Sequence, residues 1–261
     1  MAFRRQAGTN LLLVGSSRDL ATGLIASSVV SLALADRYRV ADPHRAACAA
    51  RFELLVSDEH EELPNDGWIT ALHDTLQVDL RSTGPAEAAA RVAALAAEVD
   101  RRLAAAAVSA GEIYLVIHDL GRFRTLQPSP DDYGLGSVSA EQAEGNAAAQ
   151  LARILREGPA VGVHTLVWAD GHHTLSRWFE RGSLRDFAHR VLLQMSAVDS
   201  SHLMDSVAAS QLGGFRALFH DHERGHAEKF RPYGVPDAAW LRSLASPKSS
   251  ATEKMSSREE G

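Results

Sequence analysis

The stretch Asn10-Leu11-Leu12-Leu13-Val14-Gly15, followed by Ser16-Ser17-Arg18-Asp19, decides how the rest of the chain is read. Four consecutive apolar residues closed by a glycine predict a strand buried on both faces. Ser16 to Arg18 turn the chain, and from Asp19 a helix follows with Leu20, Leu24, Ile25, Ser28 and Leu32 along one side. Two more apolar runs of the same kind lie at 112–118, which ends against Asp119, and at 161–169. Weaker strand patterns occupy 51–57, 76–80 and 190–195. Between them the spacing predicts helices over 64–72, 86–107, 146–157 and 200–204, with a helical turn at 183–188. The clearest is 86–107, where Val92, Leu95, Ala96, Val99 and Leu103 form the apolar stripe. Strands alternating with helices imply βαβ units, hence an α/β fold with a mainly parallel sheet covered on both faces.

The carboxyl-terminal part departs from that alternation. Segments 215–220 and 227–233, joined by Asp221-His222-Glu223-Arg224-Gly225, read as a β-hairpin with glycine in the turn. The polar stretch 127–145 is the longest expected loop. Residues 246–261 form a charged, serine-rich tail expected to be disordered, which leaves 1–245 as the folded domain.

At 261 residues, with 45% hydrophobic and 23% charged residues, the chain has the composition of a soluble globular protein. A net charge of −6 argues against strong electrostatic binding of nucleic acid. The one cysteine, Cys48, excludes an intramolecular disulfide and a cysteine-built zinc site, so a reducing, cytoplasmic setting is expected. No apolar run approaches the roughly 20 residues of a membrane span, and no membrane segment is expected. Lysine occurs only at Lys229, Lys248 and Lys254, so chemistry that needs a lysine earlier in the chain is closed to it.

In an open parallel sheet, ligands bind beyond the carboxyl ends of the strands. Gly15, leading into a helix, and Asp119, closing a later strand, are the two ends to inspect. That layout is the one a P-loop nucleotide site uses. Backbone N–H groups and a helix N-terminus hold phosphates, and the aspartate holds Mg²⁺.

The order of segments resembles the FtsK/SpoIIIE DNA translocases and their HerA-like relatives over residues 3–233. Residues 10–15 resemble the strand entering Walker A, and Val116-Ile117-His118-Asp119 resembles Walker B. The segment 156–167 resembles the approach to the sensor strand. Asp199-Ser200-Ser201-His202-Leu203-Met204-Asp205 and Ala209-Ser210-Gln211-Leu212-Gly213 resemble the end of the motor. The resemblance implies a RecA/HerA-like three-layer sandwich. By position it implies Gly15, Ser16, Ser17, Arg18, Thr22 and Asp119 as residual nucleotide contacts, and Asp170 at the sensor position.

The departures are as informative. Walker A reads G-x-x-x-x-G-K-[ST]; here Leu20 stands for the second glycine and Ala21 for the lysine, while Thr22 survives. Asp119 is followed by Leu120 rather than glutamate. Trp168-Ala169-Asp170 replaces the family's Ala-Thr-Gln, and Pro159 aligns with its arginine. Phosphoryl transfer works by positioning and charge neutralisation, so losing these groups leaves negligible turnover. The expectation is a degenerate, non-hydrolytic module with no required cofactor. It would pack against active FtsK/SpoIIIE-like ATPase domains or its own copies, with DNA or a secreted protein as the cargo of the larger machine. The resemblance also implies sequence ahead of the first strand, as in a piece of a longer assembly. The alternative is a translocase domain that still binds ATP and Mg²⁺ through Arg18. A third reading is a Rossmann-like binding protein that shares only the fold.

Other polar groups read as structural. His118-Asp119 ends a strand, unlike the helical metal-binding HD dipeptide. His220, His222 and His226, with Asp221 and Glu223, are read as a polar turn rather than a metal site, and His172 with His173 likewise. Arg122 and Arg124 flank Phe123 as a polar loop with one anchor, or as an inter-subunit contact.

Overall fold

The apolar strands divide their side chains between two faces, and that division builds the molecule. In the computed structural model, which describes residues 3–40, 49–57, 67–76, 78–105, 110–128, 146–180 and 182–245, Leu12 and Val14 of strand β1 (Leu11–Val14) enter one core. Leu11 and Leu13 enter the other. The first core is roofed by α3 (Ala88–Ala104) and α4 (Ala147–Glu157). The second lies under α1 (Arg18–Val40), α2 (Gly67–Leu76) and α7 (Ala238–Ala245). The result is a three-layer α/β/α sandwich. Leu12 is fully buried; truncating such a side chain to alanine costs about 2–5 kcal/mol.

The remaining strands are β2 (Arg51–Leu55), β3 (Asp79–Thr83), β4 (Ile113–Ile117), β5 (Val163–Ala169), β6 (His189–Leu192), β7 (Ala217–Asp221) and β8 (His226–Phe230). One eight-stranded sheet holds them in the order β3-β2-β4-β5-β1-β6-β7-β8. It is parallel from β3 to β6, and β7 and β8 add the antiparallel hairpin.

The amino ends of the strands carry buried polar ties. Asn10, fully buried, donates from Nδ2 to the carbonyls of Leu155 (2.8 Å) and Asp186 (2.7 Å) and accepts from the Thr165 amide (2.8 Å). It thereby joins α4, the turn Ser183–Asp186 and β5 to the entrance of β1. Arg190, also buried, donates to the carbonyls of Phe187, Leu203 and Leu184. A buried donor or acceptor left unpaired costs about 1–3 kcal/mol, so each of these side chains fixes several segments at once.

Two helices and some boundaries differ from the sequence expectations. Helix α5 (His172–Trp178) was not expected, because only Leu175 and Trp178 mark its buried side among polar residues. Helix α7 was also not expected: its eight residues are short for a helical repeat to show, and Leu241 is its one fully buried residue. Strand β3 lies three residues later than the pattern at 76–80; it is an edge strand with little burial, so its side chains carry almost no alternation. Helix α6 (Ala197–Met204) starts earlier than 200, where the Ser196 hydroxyl caps it by accepting from the Asp199 amide (3.0 Å). The expected tail at 246–261, most of the loop at 127–145 and Cys48 lie outside the described residues.

The expectation about apolar length also needs correction. Helix α1 has 23 residues, and its stretch Arg18–Asp36 is long and apolar enough to cross a membrane by length and composition. Serines and small alanines between the larger side chains hide this in the sequence. Ala21, Ile25, Ala26, Val29, Val30 and Ala33 are buried in the core beneath the sheet. Gly23 lets the chain cross α1 closely: a Cβ there would lie 2.5 Å from the Tyr233 carbonyl oxygen.

Candidate functional site

Strand β5 lies between β1 and β4, and the pairs Val14↔Ala169 and Ile117↔Val167 bring the three strand ends level. Gly15, Asp170 and Asp119 therefore meet at the carboxyl edge of the sheet, where a ligand is expected in this topology. A cleft of about 830 Å³ opens there. Ser16, Arg18, Asp119 and Asp170 line it together with Arg122, Arg124, Arg177, Trp168 and Trp178.

Gly15 is required by its backbone. Its φ of 151° belongs to glycine, and a Cβ would lie 2.4 Å from that of Leu193. Its N–H bonds the Ala169 carbonyl (3.1 Å), and its own carbonyl accepts from Trp168 Nε1 (2.9 Å). The glycine thus clamps β1 to β5. After it the chain has only Ser16 and Ser17, both exposed, before α1 begins at Arg18. The Ala21 amide already bonds the Ser17 carbonyl (3.0 Å). A phosphate-wrapping loop needs four residues between its glycines; here the third of those four is the first residue of a helix.

The residues taken over from the motif then fall in helix geometry. Ala21, at the lysine position, is fully buried against the sheet. Thr22 is buried, and its Oγ1 shares a 2.9 Å hydrogen bond with His118 Nε2. Asp19 is exposed in the first turn, where a negative charge suits the helix dipole. Arg18 reaches across the cleft. Its Nη2 donates to Asp119 Oδ2 at 2.9 Å, and its guanidinium lies 5.6 Å from the Trp168 ring centre.

Asp119 is held from a second side, with Arg122 Nε 3.5 Å from the same oxygen. It sits at φ 68°, a left-handed conformation that aspartate tolerates better than most residues. That turn starts the short 3₁₀ helix Leu120–Arg122, and Leu120, at the glutamate position, is fully buried in the core. No carboxylate can reach the cleft from there. Phe123 is the buried anchor that the sequence reading expected, and it leaves Arg122 and Arg124 lining the cleft. Asp170 is exposed and accepts from Thr174 Oγ1.

Burial, reinforced by the Arg18 charge, lowers the pKa of His118 to about 4, so the ring is neutral at pH 7. Its ring packs edge-on against Trp168, with centroids 4.8 Å apart.

Of the residues expected at the site, Ser16, Arg18, Asp119 and Asp170 line the cleft, and Gly15 lies beside it with Ser16 and Asp170. Ser17 lies at the start of α1, and Thr22 faces His118. Arg177, Trp178 and Thr174 were missed, since all three come from the unexpected helix α5. In the hairpin, His220 is buried and its ring centre lies 5.9 Å from that of His222, while His226 is exposed.

Solved structures share this architecture. The chain is similar to the pCW3 conjugation coupling protein TcpA in a monomer form with ATPγS, with TM-score 0.61 and 11% identity over 92% of this chain and 66% of that one. It is similar to ATPases 2 and 3 of Thermomonospora curvata EccC in complex with a signal sequence peptide, with TM-score 0.58 and 13% identity over 92% of this chain and 42% of that one. It is also similar to B204, the DNA-packaging ATPase from Sulfolobus turreted icosahedral virus, with TM-score 0.51 and 10% identity over 87% of this chain and 98% of that one. The fold they share with this chain is the P-loop ATPase fold that the resemblance implied. The chain spans 66% of the TcpA chain and less than half of the EccC one. No protein-family profile and no curated protein matches the sequence.

Proposed function

We propose that this chain is a non-hydrolytic ATPase-like module that serves as a structural or docking piece of a DNA-translocation or secretion motor. The reading rests on one observation above the others. The Arg18–Asp119 ion pair joins the start of α1 to the turn after β4, where a triphosphate and its Mg²⁺ would be gripped. Three further features support it: the two-residue stretch between Gly15 and α1, the buried Ala21, and the buried Leu120. Phosphoryl transfer depends on a cation at the transferred phosphate and a group that orients the nucleophile. Both positions here belong to the apolar core.

The partners in this reading are active ATPase domains or further copies of the chain. The neighbouring EccC structure holds a signal sequence peptide, and B204 is a DNA-packaging ATPase; either kind of cargo is compatible with a docking module. With a net charge of −6, DNA binding is expected to be weak and to collapse between low and physiological salt.

A second reading, retained nucleotide binding, draws on Arg122, Arg124 and Arg177 around the cleft. A titration with a fluorescent ATP analogue and Mg²⁺ separates the two. The docking module gives no saturable signal below millimolar concentrations. Micromolar binding that disappears in Asp119→Ala would establish the second reading instead.

A further inference from the structure

Helix α6 places Asp199 and His202 three positions apart, so both project from one side of the helix. Helix α5 begins at His172, directly after Gly171 in extended conformation at the end of β5. The two helices pack together, which brings side chains 27 and 30 positions apart into one cluster. His172 Nδ1 lies 3.9 Å from Asp199 Oδ1. The His172 and His202 rings have centroids 4.6 Å apart and are tilted by 49°. One nitrogen of each ring and one Asp199 oxygen all lie within 4.8 Å of one another. Among the described residues this is the one such group.

We infer that His172, Asp199 and His202 form a binding site for a borderline divalent transition metal, Zn²⁺ above all, with water completing the coordination. Tetrahedral Zn²⁺ bonds nitrogen and oxygen at about 2.0–2.2 Å, which sets ligand atoms roughly 3.3–3.6 Å apart. The cluster reaches that spacing when side-chain torsions close it by about an ångström. Two imidazoles and one carboxylate suit zinc, cobalt or nickel; magnesium and calcium prefer all-oxygen sets. The site is distinct from the Arg18–Asp119 pair. His172 and Asp199 also line a small recess of about 170 Å³ with Gly15, Ser16 and Asp170. A bound ion would tie α5 to α6. Since Thr174, Arg177 and Trp178 of α5 line the main cleft, the ion would also fix one wall of it.

The test uses the untagged full chain, stripped with a chelator and titrated with Zn²⁺ and with Co²⁺ against a chromophoric competitor. The expected result is one ion per chain with micromolar or tighter affinity, not displaced by a hundredfold excess of Mg²⁺, and a higher thermal midpoint with Zn²⁺ present. His172→Ala, Asp199→Asn and His202→Ala should each weaken binding by at least about tenfold. His173→Ala, an exposed neighbour outside the cluster, should leave it unchanged. His202 is exposed, so its variant keeps the apo fold and isolates the ligand effect. Wild-type affinity no tighter than that of His172→Ala/His202→Ala, or an equal loss in His173→Ala, would overturn the site.

Discussion

The Arg18 guanidinium stands 2.9 Å from the Asp119 carboxylate, although 101 positions separate them in the chain. The contact welds the first residue of α1 to the turn after β4. Asp119 keeps 12% of its side-chain surface exposed and Arg18 34%, so the pair is shielded on one side and wet on the other. A double-mutant cycle with Arg18→Ala and Asp119→Asn, followed by urea denaturation, should give a coupling of about 0.5–2 kcal/mol. Asparagine is the right replacement because it also tolerates the left-handed backbone of that position. Zero coupling would mean that the two charges do not meet in solution.

A lysine introduced at position 21 should not create a nucleotide site. Ala21 is fully buried beneath the sheet, and a lysine there would have to bring its ammonium into apolar surroundings. Ala21→Lys is expected to destabilise the fold by about 3 kcal/mol or more. Calorimetry should register a lower melting temperature, and ATP titration should remain flat. A gain of micromolar ATP affinity would show that α1 can unwind at its start.

His118 makes stability depend on mild acid. In the unfolded chain it takes up a proton near pH 6.5; in the fold it does so only near pH 4. Between those values the unfolded state binds more protons, so stability falls as the pH is lowered through that window. The full loss from this group is about 3 kcal/mol. The charged groups facing the ring are Arg18, which favours the neutral form, and Asp119, which opposes it. Denaturation at pH 7 and pH 4.5 should show the drop in the wild type and a smaller one in His118→Gln.

Gly23→Ala tests the crossing over α1. The added methyl would sit 2.5 Å from the Tyr233 carbonyl oxygen and about 3.0 Å from Gly234 backbone. Backbone cannot swing aside as a side chain does, so the gain in helix propensity of about 1 kcal/mol is overridden. A net loss of about 1–3 kcal/mol in chemical denaturation is expected. A stabilised variant would mean that segment 233–234 is not seated on α1.

The legible parts of the fold were those that hydropathy marks strongly. β1 and β4 are continuous apolar runs, and β5 is apolar apart from His164 and Thr165, because both faces of these strands are covered; the stripe of α3 repeats through Val92, Leu95 and Val99. Helix α5 was illegible because His172, His173 and Thr174 open it without any apolar residue. With it went Arg177 and Trp178 on the cleft wall, and the approach of His172 to His202. The beginning of α1 was read within one residue of its true place. That reading already left too few residues for a phosphate loop, yet motif spacing kept Thr22 at the site. The burial of Leu120 was likewise beyond a sequence reading, since it depends on the left-handed turn at Asp119. No local pattern announces a cross-sheet contact such as Arg18 with Asp119.

Asn10 and Arg190 anchor the entering ends of β1 and β6, while the cleft opens where β1, β4 and β5 leave the sheet. About 16 Å of strand separates Asn10 from Gly15 at roughly 3.3 Å per residue. The knots that hold the scaffold therefore share no atoms with the chemistry at the far rim. Such a division of labour lets side chains at the rim be exchanged while the frame beneath keeps its shape.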